Sequence, residues 1–140
     1  MNLLCHAGLG PWSARPSRPP LPASVPMTTP LTVRGAETDW TPLHEDGVDT
    51  RGLSVKVLRH DEAAGRAPTV LLRFDAGASY PNHRHPAGEE VFVLAGDVRF
   101  GQVELRAGDY LYTPPGGAHS VYSKSGCVLL LVVPEAVEVL

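Results

Sequence analysis

Sulfur is scarce and badly placed for chemistry in this 140-residue chain: its two cysteines, Cys5 and Cys127, stand at opposite ends without a CxxC or metal-ligand spacing. Neither a disulfide framework nor a thiolate metal centre is expected, and the usage fits reduced thiols in a cytoplasmic setting. Cys127, inside an apolar run, is expected to pack as a small hydrophobe. Positive charge is also short. Twelve Lys and Arg against fifteen Asp and Glu give a net charge of −3 and a pI near 6.0, without the concentrated basic surface of nucleic-acid binders. No apolar run is long enough to span a bilayer, and the longest, residues 128–133, has only strand length. Neither a helix-period stretch nor an internal repeat is present, which leaves an all-β reading without a competitor.

What is present divides the chain in two. Half of the fourteen prolines fall in residues 1–30, among Ser, Ala and Arg and without a periodic apolar pattern. This tail is expected to be disordered. It lacks the apolar core of a signal peptide, and the sequence restarts at Met27, so the functional chain is expected to begin there. Starting at Met27 removes Arg15 and Arg18 but no acid, leaving ten basic against fifteen acidic residues, or −5. Residues 31–140 are enough for one domain with a core, and too few for two. Within 31–50, Trp40 is expected to cover a sheet edge or a barrel end. His44 and His60, beside acidic residues in turn-like contexts, read as solvated surface histidines.

From Gly52 onward the pattern is a succession of short strands and turns. Strands are expected at 52–59, 69–74, 89–94, 98–100, 110–113, 119–123 and 127–133, with a loop at 61–68 and a turn at 95–97. Residues 100–103 suit a two-residue hairpin with glycine at its first central position. The 127–133 strand is apolar on both faces, whereas a sheet with one wet face should alternate. Something covers its outer side, and a second subunit is the expectation, giving a homodimer.

The chemistry concentrates in residues 77–119. Gly77, His83-Arg84-His85, Glu89 and Gly96 form one group; Gly108, Pro114-Pro115-Gly116-Gly117 and His119 form another. In a strand His83 and His85 project to one face and Arg84 to the other. Pro86-Ala87-Gly88 breaks the strand and lets Glu89 return facing the same space. His119 arrives past a corner that Pro114 and Pro115 stiffen and Gly116 and Gly117 free. Three imidazoles and one carboxylate on rigid strands suit a metal ion. Glu90, out of phase with Glu89, points the other way.

These two groups reproduce, at the expected spacings, both sequence motifs of the cupin superfamily, and the chain resembles that family over roughly residues 50–134. The resemblance implies a double-stranded β-helix, or jelly-roll barrel, with His83, His85, Glu89 and His119 as the metal ligands. Within the superfamily the sequence is similar to small single-domain cupins and to the zinc-binding cupin domain of ChrR-like anti-sigma factors. Ser123 stands where an Asn often closes the second motif, a difference that bears on the pocket wall rather than on the ligands. The donor set accepts one divalent ion, with Fe, Mn, Ni or Zn all admissible.

Cupins include enzymes, storage proteins and sensors, so the sequence leaves the choice between enzyme and sensor open. As an enzyme it would be a metal-dependent oxidoreductase of dioxygenase type, or an isomerase, acting on a small organic molecule. The expected pocket walls are Val91 and Val93 with some of Tyr80, Phe92, Tyr110, Tyr112, Val121 and Tyr122. The absence of clustered Lys or Arg near the motifs argues against phosphorylated substrates. As a sensor the chain would bind zinc or a ligand without turnover.

Overall fold

A computed structural model describes residues 28–140. The expectations of a disordered tail and of a start at Met27 fall outside these residues, except for Thr28, Thr29 and Pro30, which are exposed.

Ten strands make an antiparallel jelly-roll barrel: β1 (Thr41–Pro42), β2 (Leu53–Arg59), β3 (Thr69–Phe74), β4 (Ser79–Arg84), β5 (Glu89–Phe100), β6 (Val103–Arg106), β7 (Tyr110–Thr113), β8 (Ala118–Tyr122), β9 (Cys127–Val132) and β10 (Glu138–Val139). One sheet runs β1-β2-β3-β9-β5-β7, and the other runs β6-β5-β8-β4-β10. Strand β5 belongs to both. The turn expected at 95–97 is therefore a correction: instead of two strands there is one of twelve residues, kinked by a register shift between Val93 and Ala95. The inserted residue lets the strand turn a corner while staying paired, as a bulge does. Side chains face inward at Glu89, Val91 and Val93 before the kink and at Val98 and Phe100 after it.

The core lies between the sheets. Leu53, Val55, Val70, Leu72, Phe74, Val91, Val93, Leu129 and Leu131 come from the first, and Tyr80, Val98, Phe100 and Val121 from the second. Their two-residue period is the ordinary consequence of a strand with one face on a core. Cys127 is buried, and burial pushes its thiol up to about 11, so it packs as a neutral apolar group. Trp40 lies over Lys56 and Arg73, with its ring 4.9 and 4.6 Å from their charged ends. It covers the outer face of β2 and β3 rather than a barrel end.

Candidate metal centre

Register brings the first two imidazoles together. His83 on β4 is the cross-strand partner of His119 on β8, and both side chains face the interior. Strict alternation could not bury both Tyr80 and His83, which are three residues apart. A register shift between them supplies the missing residue, at Pro81-Asn82. Pro81 has no N–H to give the ladder, so the irregularity falls where a strand can best accept it. The Pro81 carbonyl is then used: His83 Nδ1 donates to it at 2.8 Å, which leaves Nε2 with a lone pair in the neutral ring.

His85 is set by the Pro-Gly corner. Its backbone N–H donates to the Gly117 carbonyl (2.9 Å), and its own carbonyl accepts from Gly116 N–H (2.8 Å). Glu89 follows after Gly88 turns the chain at φ +84°. Ligand nitrogens of His83, His85 and His119 all lie within 4.8 Å of one another. Glu89 Oε2 sits 3.3 Å from His85 Nε2 and 3.2 Å from His119 Nε2, and those two nitrogens are 3.2 Å apart. His83, His85 and Glu89 are almost wholly buried; the side chain of His119 is 9% exposed.

The protonation states suit coordination. Burial holds His83 down to about 4, against the pull of its bond to Pro81, and holds His85 down to about 3, with the neighbouring imidazoles adding to the effect. Both rings are neutral at pH 7 and present lone pairs. Burial pushes the Glu89 carboxyl above its ordinary value, while His119 beside it works in the opposite direction. Two of the four buried side-chain atoms without a hydrogen-bond partner among the described residues belong to this centre, His85 Nδ1 and Glu89 Oε2. An orphaned carboxylate oxygen between two imidazole nitrogens is costly as it stands, and a cation placed among these donors would relieve it. The residues present therefore fit a divalent metal ion.

The eight expected pocket residues separate cleanly. Tyr80, Val91, Val93 and Val121 are buried inside the barrel. Phe92, Tyr110, Tyr112 and Tyr122 are not: they are 40, 54, 55 and 37% exposed on the outer faces, so their assignment to the pocket is corrected. Phe92 is out of phase with Glu89, and Tyr110 and Tyr112 pair with Phe92 and Glu90, which share its outward phase. Glu90 does face outward and accepts a hydrogen bond from Tyr110 Oη at 2.8 Å. The space beside His83 and Glu89, walled by Leu72, Phe74, Tyr80, Phe100, Val121, Leu129 and Leu131, measures about 10 Å³, roughly one water molecule. Ser123 lies away from it, donating to the Asp97 carbonyl at 2.6 Å. His44 and His60 are exposed, and neither is in the histidine cluster.

Two residues near the centre escaped the sequence. Thr113 Oγ1 lies 3.5 Å from His119 Nδ1, at the limit of a hydrogen bond, and is the last inward-facing residue of β7. Its phase relative to Leu111 was the available signal. Glu45 is buried and accepts from Tyr80 Oη at 2.7 Å, while the Tyr80 ring meets the His83 ring edge-on at 4.9 Å. An acid in a Glu-Asp-Gly turn carries no sequence sign of burial.

Similarity to known proteins agrees with this architecture. A solved RmlC-like cupin from Ralstonia eutropha JMP134 superposes with a TM-score of 0.67 at 21% identity, covering 78% of this chain and 71% of that one. An acetylacetone dioxygenase from Acinetobacter johnsonii superposes with a TM-score of 0.68 at 17% identity, covering 79% and 77%. Among curated proteins, the DNA damage-repair/toleration protein DRT102 of Arabidopsis thaliana is 32% identical over 76 residues. That match takes in 50% of this chain and only 23% of DRT102, so the chain spans about a quarter of that relative. The family model for the ChrR cupin-like domain matches residues 28–137, nearly the whole described chain, and the protein belongs to that cupin family.

Proposed function

We propose that this cupin holds one divalent metal ion through His83, His85, Glu89 and His119, and that it acts as a dioxygenase-type enzyme on a small organic molecule. The observation that carries the proposal is the convergence of three imidazoles on the orphaned Glu89 oxygen, with His83 and His85 held neutral by burial. A bound iron, manganese or nickel ion in this donor set would supply Lewis acidity and a place for dioxygen beside a chelated substrate. The chain's part is to fix the donors: Pro81 orients His83, the Gly116-Gly117 corner orients His85, and Thr113 stands behind His119. The apolar walls around the centre keep bulk water out. Access is from the His119 side, since the space behind His83 and Glu89 takes only a water-sized guest. The resemblance in fold to an acetylacetone dioxygenase supports trying small diketones first.

A second reading has an observation in its favour. That same water-sized space, in a chain of the ChrR cupin-like family, suits a zinc- or ligand-sensing module whose metal is enclosed by four protein ligands.

Elemental analysis of protein purified without added metal or a nickel column separates the two. Near-stoichiometric iron, manganese or nickel, with oxygen consumed on adding small diketo, dihydroxy or thiol compounds, supports the enzyme. Near-stoichiometric zinc with no oxygen uptake supports the sensor. Less than a tenth of an equivalent of any metal, even after reconstitution, refutes both.

A further inference from the structure

The outer face of the second sheet gathers positive charge that the sequence scatters. Strand β5 runs between β6 and β8 there, and its outward residues are Asp97 and Arg99, since Val98 and Phe100 face the core. Register puts Arg99 between Glu104 of β6 and Tyr122 of β8, and it puts Arg106 opposite Asp97. Lys124 is drawn in by Asp97, whose carboxylate accepts from the backbone N–H groups of Lys124 and Ser125 at 3.2 Å each. These six side chains line a groove of about 560 Å³, a volume in the range of small-molecule sites.

We propose that this groove binds a nucleoside phosphate, with its phosphates on Arg99, Arg106 and Lys124, its base on Tyr122 and its sugar hydroxyls on Glu104. Charge is the first argument. The chain as a whole carries −3, yet here three cations meet two acids, or +1. The Asp97 carboxylate is moreover spent on two backbone N–H groups. Among the described residues none of the three cations is in an ion pair. Arg99 and Arg106 are diagonal neighbours on β5 and β6, about 7–8 Å apart along the sheet. From that spacing two guanidinium forks can reach the oxygens of one diphosphate.

The aromatic floor is the second argument. Tyr122 is 37% exposed, and the Arg99 guanidinium lies over it, 5.5 Å from the ring centre. A planar base can stack on such a surface, because both an aromatic ring and a guanidinium plane take bases face-on. Glu104, across the strand from Arg99, is exposed and in no ion pair among the described residues; an ionised carboxylate only accepts, which suits sugar hydroxyls. The groove is separate from the metal centre. Phe100, next to Arg99, faces inward and meets the His119 ring edge-on at 5.0 Å, so the sheet stands between the two sites. The scarcity of Lys and Arg near the motifs bears on the interior, whereas these cations come from positions 99, 106 and 124 and meet only through register.

Isothermal titration of the full chain, as purified, with ADP tests the proposal, with pyrophosphate and adenosine as the two halves of the ligand. ADP is expected to saturate a single site per chain and to bind more tightly than either half. Arg99→Gln and Arg106→Gln, both at exposed positions, are each expected to weaken ADP about tenfold or more, as the loss of a charge-assisted hydrogen bond implies. Tyr122→Ala is expected to weaken ADP and leave pyrophosphate unchanged, and His85→Ala is expected to leave ADP unchanged. Should Tyr122→Ala unfold, the two arginine variants decide. Absence of saturable ADP binding overturns the proposal. Either half binding as tightly as ADP overturns it as well, pyrophosphate in that case marking an adventitious anion patch only. So does ADP binding that His85→Ala abolishes and the arginine variants spare, which would put the nucleotide at the metal centre.

Discussion

Gly96→Ala is the substitution from which the barrel has most to lose for one added carbon. Gly96 sits at φ +80°, where β5 leaves one sheet for the other and pairs with Cys127. A Cβ there would fall well inside contact distance of the Gly126 carbonyl oxygen and 2.8 Å from Cys127 Cα, both backbone atoms that cannot swing away. Three costs combine. A left-handed non-glycine residue costs about 1–2 kcal/mol. Overpacking against backbone costs about 1–3 kcal/mol. The Asp97 N–H bond to that Gly126 carbonyl, 3.3 Å long, is worth about 1 kcal/mol more. Together they reach roughly 3–6 kcal/mol, a large share of the 5–15 kcal/mol that holds a typical domain. Gly108→Ala is the control. Gly108 has φ +92° but nothing within 4 Å of a built Cβ, so only the backbone cost of about 1–2 kcal/mol applies. Urea unfolding of both variants in one buffer measures the difference, expected at about 2–4 kcal/mol. Equal losses would show that β5 does not cross between the sheets against Gly126 as described.

Three further outcomes are expected. His83→Ala, His85→Ala and His119→Ala should each lower bound metal well below one per chain, by elemental analysis, while the strand signal in circular dichroism persists; stoichiometric metal in all three would exclude the site. In metal-free protein, acid should destabilise the fold: His83 takes a proton near 4 when folded but at its ordinary 6.5 when unfolded, so stability rises with pH between those values. That contribution is about 3 kcal/mol for His83, and His85 adds to it with the same sign. Glu89, raised when folded, opposes them above its ordinary 4.5, so Glu89→Gln should steepen the rise; urea midpoints in chelator that stay flat from pH 4.5 to 7 in that variant would contradict the burial of these rings. Tyr80→Phe deletes the 2.7 Å donor to buried Glu45 and should cost about 1–3 kcal/mol in thermal or urea unfolding, with metal content unchanged.

Much of this molecule could be read from residue order because its strands obey the period of two wherever the backbone is regular. The 69–74 and 110–113 strands have the expected bounds, and the Gly101-Gln102 turn joins Phe100 to Val103 as the hairpin pattern implies. What could not be read depends on where the period slips. The slip at Pro81-Asn82 puts Tyr80, His83 and His85 all on the inside, and the slip after Val93 turns an expected pair of strands into one. A bulge costs the sequence only one residue, and a proline such as Pro81 marks where one can fall without fixing that it does, yet the bulge reverses the facing of everything beyond it.

The misplaced aromatics follow from the same physics. Phe92 could have been excluded from the interior by counting from Glu89, since no slip lies between them. Tyr110 and Tyr112 required the register of β7 on β5, a long-range fact that no local pattern encodes. Their outward phase changes what the aromatics are for. The strand that carries Glu89 and Val91 inward carries Glu90 and Phe92 outward, and the strand that carries Thr113 towards His119 carries Tyr110 and Tyr112 away from it. The exposed aromatic face and the wall of the metal centre are thus two sides of the same pair of strands. Strand β7 is held by β5 alone among the described strands, so the placement of Thr113 behind His119 depends on that one pairing.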